Sequence, residues 1–338
     1  MAVKKIIEEI DGEIKDILNT EFSYTNTKYV PNLDDSALTF GNTEEKKAKV
    51  INTCVLFVDI RGSVALTKKH HTKTMGRLYS AFAKAVLKAA HHHSGYVRNI
   101  IGDRVMVVFP SFNCYLNAVN CAITINHVCA NIIDKQFTGM DFKCGIGVDY
   151  GELKVIKVGT PKQGREANEN RGLVWTGYPA NLASRLTDTA NKIVEEDYYE
   201  VKRNPFNHAK FFGGMGFGGV GLLDISPLGG TPINRAEQPT YLDKIETVEM
   251  TPEKFADSIK TSTTGSVYIS GGRFISFLKK TRKTEYPAIL ISKTVYNGYK
   301  KEKPKANDVV NKWWEKEKYN VKDVTDEVYG SNLTWNIN

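Results

Sequence analysis

The chain has 338 residues, 41% of them hydrophobic and 25% charged, enough for one large or two small globular domains with a buried core. Its net charge of +8 comes from dispersed lysines and arginines, which suits a polyanionic small substrate as well as a nucleic acid. No apolar run approaches the ~18 residues of a membrane span. The first nine residues carry too many charges for a signal peptide.

Residues 3–19 place Ile6, Ile7, Ile10, Ile14, Ile17 and Leu18 at helical spacing among Lys and Glu. This predicts an amphipathic helix that packs on the body or on a partner subunit. Residues 20–50 are polar and read as a covering segment, so 1–50 is set apart from a catalytic body at 51–338. Thr53 to Asp59 is β-branched and apolar, as a central buried strand requires. It ends in one carboxylate before the small turn Arg61-Gly62-Ser63. Met75, Leu78, Phe82, Val86 and Ala90 predict a helix over 72–93, stopped at Ser94-Gly95. Tyr96–Ile101 and Val105–Phe109 predict a hairpin with Gly102-Asp103 at its tip. A second helix is expected over 113–133. Phe142–Val148 and Glu152–Val158 are expected to pair around a turn at Asp149-Tyr150-Gly151. The resulting order, β-α-β-β-α-β, gives an α+β fold of ferredoxin-like arrangement.

Further on, 159–174 reads as a polar loop, and Val174 to Pro179 leads into a helix over 180–191. Residues 195–285 are of mixed character and read as an insertion of unknown role. Ala288–Ser292 is again a buried strand. The five cysteines, Cys54, Cys114, Cys121, Cys129 and Cys144, are odd in number and lack a Cys-x-x-Cys pair. They read as buried reduced thiols, which points to a cytoplasmic protein.

In a β-α-β-β unit the end of the first strand and the tip of the next hairpin lie side by side, so Asp59 and Asp103 are expected to converge. Two carboxylates at close range repel unless a cation lies between them. Oxygen ligands of this kind suit Mg²⁺ or Mn²⁺. Asn181 and Arg185 stand at i and i+4, on one helix face. An amide and a fixed guanidinium there are suited to a ribose and a phosphate.

Four motifs in this order resemble the class III nucleotidyl cyclases: Phe57-Val58-Asp59-Ile60-Arg61-Gly62-Ser63, Gly102-Asp103-Arg104-Val105, Gly145-Ile146-Gly147-Val148-Asp149-Tyr150-Gly151-Glu152, and Gly177-Tyr178-Pro179-Ala180-Asn181-Leu182-Ala183-Ser184-Arg185. The resemblance covers about residues 50–193. It implies that Asp59 and Asp103, with the Ile60 carbonyl, bind two divalent ions, Mn²⁺ or Mg²⁺. It also implies that Phe57, Arg61, Gly62 and Ser63 line the substrate, with backbone amides at 61–64 on phosphate. Asn181 would orient the ribose and Arg185 would stabilise the pentavalent phosphorus. Such enzymes are head-to-tail dimers with sites at the subunit interface. The 3′-hydroxyl attacks the α-phosphorus and pyrophosphate leaves.

The two positions with which this family reads a purine are Asn99 and Val174 here. Neither carries the purine-reading side chain of adenylate or guanylate cyclases. An amide at 99 both donates and accepts and suits a pyrimidine, with cytosine favoured over uracil. Trp175 adds bulk suited to a smaller base, unless strand alternation turns it away. The pattern is similar to the bacterial pyrimidine cyclases of the Pycsar antiphage system. That likeness implies synthesis of cyclic CMP or cyclic UMP as a signal to a separate cyclic-nucleotide effector. An adenylate cyclase with a divergent pocket and a catalytically silent nucleotide-binding module are the alternatives.

Three other features carry less. Gly214-x-Gly216-x-x-Gly219 fits a dinucleotide fingerprint but lacks the strand and helix it needs. His91-His92-His93 sits at a helix end. Lys279, Lys280, Arg282 and Lys283 read as a solvated face, with guidance of a triphosphate or a nucleic-acid trigger as the other use. Direct nucleic-acid binding and membrane association are not expected.

Overall fold

The structure is a computed structural model and describes residues 2–39, 45–160, 171–207, 241–261, 267–316, 321 and 324–337. The glycine fingerprint at 214–219 lies outside these residues. Two compact units are present: residues 1–192 with 285–338, and Ile193–Thr284 between them in sequence.

The first unit contains α1 (Ala2–Asn19), β1 (Glu21–Thr27), β2 (Glu45–Ile60), α2 (Ser63–Lys69), α3 (Thr72–His92), β3 (Tyr96–Ile101), β4 (Arg104–Val108), α4 (Cys114–Val128), β5 (Cys144–Gly159), β6 (Arg171–Thr176) and α6 (Tyr178–Thr189), with a π turn at Cys129–Ile133 and a short α5 (Asp134–Gln136) before β5. After the second unit, β12 (Ile289–Ser292), a helix at Lys293–Glu302 and β13 (Val328–Ser331) complete it. The sheet order is β13-β12-β5-β2-β4-β3, with β1 beside β2 and β6 beside β5. Within it, β5-β2-β4-β3 is the ferredoxin-like order, antiparallel throughout.

The two faces of this sheet are covered differently. Cys54, Leu56 and Val58 of β2, with Val105 and Val107 of β4, face the layer of α3, α4 and the helix Lys293–Glu302. Leu78, Phe82 and Val86 of α3 are fully buried there. Each such side chain contributes about 1.5–3 kcal/mol of burial. By length and composition the helical stretch Cys114–Gln136 is apolar enough to cross a membrane, which the residue-run criterion passed over. Half of it is buried, and its side chains fill this core. The alternate residues Val55, Met106 and Val108 face the other side, with Ile51, Leu153, Val30, Ala180 and Ala183.

Several expectations change. Asp149-Tyr150-Gly151 is not a turn: β5 runs unbroken for 16 residues. A Cβ at Gly151 would make only ordinary contact with Pro179, at 3.4 Å, so neither a turn nor space requires the glycine there. At the end of α3 the left-handed residue is Ser94, with φ 58°. Gly95 is needed for space, because a Cβ would lie 2.7 Å from the Phe109 ring. The covering segment contains a strand, β1, paired parallel to an N-terminal extension of β2. The expected loop 159–174 ends in the strand β6. The apolar residues of α1 are exposed, so the described part of one chain leaves this face uncovered.

The second unit is a sheet of order β8-β7-β11-β10-β9, built from β7 (Ile193–Pro205), β8 (Glu246–Met250), β9 (Ile259–Thr261), β10 (Val267–Ile269) and β11 (Gly272–Glu285). A small core of Val201, Phe255 and Ile269 holds it together. On β11, Lys279 pairs with Asp197, Arg282 with Glu249 and Lys283 with Glu195, each at 2.6 Å, and Lys280 pairs with Glu200. This basic run is neutralised by neighbouring strands, so it is not a free cationic patch.

Candidate active site

The site is built at the C-terminal end of β2. Strand alternation puts Phe57 and Asp59 on the face covered by α6, since Val58 between them belongs to the opposite core. Asp59 is 17% exposed. The β3–β4 hairpin brings Asp103 beside it. Burial and the neighbouring Asp59 carboxylate push the Asp103 carboxyl upward, while a hydrogen bond from Ser63 works against them. The two acids thus converge as the topology demanded, and Ser63 is within bonding distance of one of them. Ile60 has a buried side chain, so it presents only its carbonyl. The donor set is oxygen alone, which fits Mg²⁺ or Mn²⁺. Among the described residues no cluster of three or more His, Cys, Asp or Glu side chains exists, so His91-His92-His93 forms no such centre. The His93 Nε2 instead lies 2.8 Å from Thr124 Oγ1.

Arg61 does not take the part expected of it. Its Nη2 donates to Thr187 O at 2.7 Å and its Nη1 to Asp188 O at 3.3 Å, closing the C-terminal turn of α6. Its backbone N–H donates to Lys143 O at 2.8 Å. Burial lowers the pKa of this guanidinium, and Asp59 at 3.9 Å opposes the shift. Its guanidinium and its backbone N–H are thus both bonded within the chain. Gly62 adopts φ 64° and starts α2, which a residue with a Cβ would do at a cost.

The position of α6 is set by two glycines of β5. A Cβ at Gly147 would lie 2.3 Å from Ala183 O and 2.4 Å from Thr187 N, and one at Gly145 would strike Arg61 and Ala190 O. The helix therefore rests directly on the strand backbone. Thr187 Oγ1 bonds Phe57 O at 3.1 Å and ties the helix to β2. Ala183, Leu186 and Thr187 are buried on the sheet side, while Asn181 and Arg185 are exposed. Asn181 and Arg185 thus share one outward face of α6.

Position 99 is reoriented by a β-bulge. Val97 pairs with Val107 but Asn99 pairs with Met106, so Arg98 is the extra residue. Directly opposed residues share a face, and Met106 belongs to the α6-side cluster with Phe57 and Trp175. The bulge therefore puts Asn99 on that face. Arg98 stacks on Tyr96, 4.9 Å from the ring centroid, and reaches Val30 O at 3.5 Å. Trp175 pairs with Val155 and packs in the same cluster. Val174 consequently faces the other way and is 40% exposed. Phe57, Asn99 and Trp175 thus lie on one face of the sheet, Asn99 in the row of Phe57 and Trp175 in the row of Lys49, while Val174 lies on the other face.

Two residues were missed by sequence reasoning. Arg104 heads β4, and its Nη2 lies 2.9 Å from Asp59 Oδ2. Asp188 accepts from the same nitrogen. The readable signal was a cation directly after Asp103, together with a second acid one helical turn after Ser184.

The model of the adenylate and guanylate cyclase catalytic domain matches residues 45–194. A uridylate cyclase of Burkholderia cepacia is 26% identical over 192 residues, covering 55% of this chain and 79% of that protein. A uridylate cyclase of Gulbenkiania mobilis is 29% identical over 192 residues, covering 53% and 69%. A cytidylate cyclase of Staphylococcus aureus is 26% identical over 186 residues, covering 48% of this chain and 40% of that protein. The converging acids at the end of β2, the ferredoxin-like sheet and these matches lead to one conclusion: the chain carries a class III nucleotidyl cyclase domain of mixed α+β fold, distantly homologous to uridylate and cytidylate cyclases.

Proposed function

We propose that this nucleotidyl cyclase acts on a pyrimidine nucleoside triphosphate, CTP or UTP, and forms the 3′,5′-cyclic monophosphate and pyrophosphate. The observation that carries the reading is the bulge that turns the amide of Asn99 onto the face shared by Phe57 and Trp175. That face offers no charged purine-reading side chain at 99, and an amide matches the pyrimidine edge. The names of the relatives, two uridylate cyclases and one cytidylate cyclase, support the same class and keep both bases in play.

In this reading Asp59, Asp103 and the Ile60 carbonyl hold Mn²⁺ or Mg²⁺. Such ions, when bound, neutralise the triphosphate and acidify the 3′-hydroxyl. Asn181 hydrogen-bonds the ribose and so fixes its 3′-oxygen opposite the α-phosphorus. Arg185 stabilises the negative charge that builds on the phosphoryl oxygens. Both residues project away from their own sheet, which supports their completing the site of a second subunit in a homodimer with two sites. Gly62 and Ser63 border the phosphate side, with Ser63 also bonded to Asp103. The second-messenger role in antiphage defence, a separate cyclic-nucleotide effector and a cytoplasmic location belong to the proposal on the resemblance and on the five buried free thiols.

The deciding experiment incubates purified protein with Mn²⁺ and each of the four nucleoside triphosphates and resolves the products by chromatography. Cyclic CMP or cyclic UMP as the main product is expected. Cyclic AMP as the main product overturns the pyrimidine reading, and no product with any triphosphate points to a silent module.

A further inference from the structure

Arg104 forms a fork between three acceptors. Its Nη2 serves Asp59 Oδ2 at 2.9 Å and Asp188 Oδ1, and its Nη1 donates to Ser184 Oγ at 3.0 Å. Ser184 and Asp188 stand at i and i+4 on α6, so one face of that helix supplies both. Arg61 and Lys192 lie in the same cluster. Three cations, Arg61, Arg104 and Lys192, thus face three carboxylates, Asp59, Asp103 and Asp188. Two divalent ions and a triphosphate of about four negative charges also cancel. The loaded site therefore needs no net change of protein charge, only a change of partner for Asp59.

We propose that Arg104 is a built-in counter-ion of Asp59 that divalent metal displaces onto Asp188, so that metal affinity is set by a contest between the two carboxylates for one guanidinium. The inference rests on the metal role assigned to Asp59 above. A single nitrogen already touches both carboxylates, so the transfer requires a small rotation and no new site. Ser184 holds the other nitrogen and keeps the guanidinium in reach throughout. A lysine lacks the second nitrogen that bonds Ser184, so its single ammonium is not held in place between the two acids. Metal and triphosphate then bind more favourably together than metal alone, since the triphosphate gives the displaced cation a second anion to face.

The test measures Mn²⁺ binding to the full chain without nucleotide, by electron paramagnetic resonance of free Mn²⁺. The proteins are wild type, Arg104→Gln, Asp188→Asn, the double variant and Asp59→Ala. Arg104→Gln is expected to bind Mn²⁺ about tenfold more tightly, about 1.4 kcal/mol. Asp188→Asn is expected to bind it several-fold more weakly, because Arg104 then rests on Asp59 alone. In the double variant the Asp188 effect should vanish, since Asp188 acts through Arg104. An equal weakening by Asp188→Asn in both backgrounds shows independent charges and overturns the proposal, as does wild-type affinity in Arg104→Gln. Arg104→Lys keeps the charge if the glutamine variant folds poorly; it should abolish the Asp188 effect, and retention of the full effect counts against the fork. Wild-type binding no stronger than that of Asp59→Ala refutes the metal reading itself, a failure distinct from that of the counter-ion.

Discussion

Replacing Gly147 by alanine tests whether the seat of α6 governs the reaction. The new Cβ would lie 2.3 Å from Ala183 O and 2.4 Å from Thr187 N. Ordinary contact begins near 3.4 Å, so the helix must lift by roughly 1 Å, the difference between the two distances. Both obstructing atoms are backbone, and Thr187 Oγ1 also holds Phe57 O at 3.1 Å, so no side chain can swing aside to relieve the clash. Overpacking of this kind costs about 1–3 kcal/mol. For a unit of this size that lowers Tm by roughly 2–10 °C. The lift carries Asn181 and Arg185 outward, and a misplacement of about 1 Å in reacting groups can cost on the order of 100-fold in rate. Gly172→Ala is the control, because a Cβ there meets nothing within 4 Å. Thermal unfolding and initial rates of cyclisation are read on both variants. If Gly147→Ala keeps its Tm within a degree of wild type and its rate within threefold, the direct seating of α6 on β5 does not control catalysis.

Two further outcomes are expected. Asp59→Ala and Arg185→Ala should each abolish turnover, and an equimolar mixture, allowed to exchange subunits, should recover about a quarter of the wild-type rate, since half the dimers are mixed and each has one intact site; a mixture as inactive as its components would exclude a site shared between subunits. Asp149 is 2% exposed, and burial raises its pKa to about 6, partly opposed by a hydrogen bond from Ser292 and aided by Asp326. Its folded pKa lies above the unfolded one, so its contribution to stability is fully present below about pH 4 and is lost as pH rises through about 6, on the order of 2–3 kcal/mol. Asp149→Asn should therefore raise Tm at pH 7.5 relative to wild type and flatten the fall between pH 4 and 6, followed by calorimetry; an unchanged pH profile contradicts the assigned burial effect.

The fold was legible where one face of an element is apolar. The period of Met75, Leu78, Phe82 and Val86 marked α3, and the β-branched run into Asp59 marked β2. Asp59 and Asp103 could be paired in advance because their places in a β-α-β-β unit are fixed by topology. Asn181 and Arg185 could be paired because i and i+4 share a helix face. Legibility failed where the signal depends on tertiary neighbours. The strand β1 is polar and half exposed, so its sequence lacks the alternation that announces a strand. Asp149 and Gly151 carry turn chemistry, yet a fully paired ladder with β2 overrides it. The partners that α6 gives to Arg61 and Arg104 lie 80 or more residues on in sequence, and no local pattern announces them. The face of Asn99 was beyond reach because a single bulged residue reverses parity on β3, and that of Trp175 because it depends on the register of β6 against β5.

That bulge makes the proposed base preference a matter of counting as well as of identity. In a ladder without the bulge, with Arg98 paired to Met106, Asn99 would oppose Val105 and turn its amide into the helix layer, and the surface under the proposed base would change without any change in the amino acid at 99. Arg98 is fastened to Val30 of the segment that precedes β2. The register of β3 at Asn99 is thereby linked to the N-terminal part of the chain. A grafting experiment that copies only Asn99 and Trp175 into another cyclase, without the inserted residue and its tether, would transfer the letters of the pocket and leave its geometry behind.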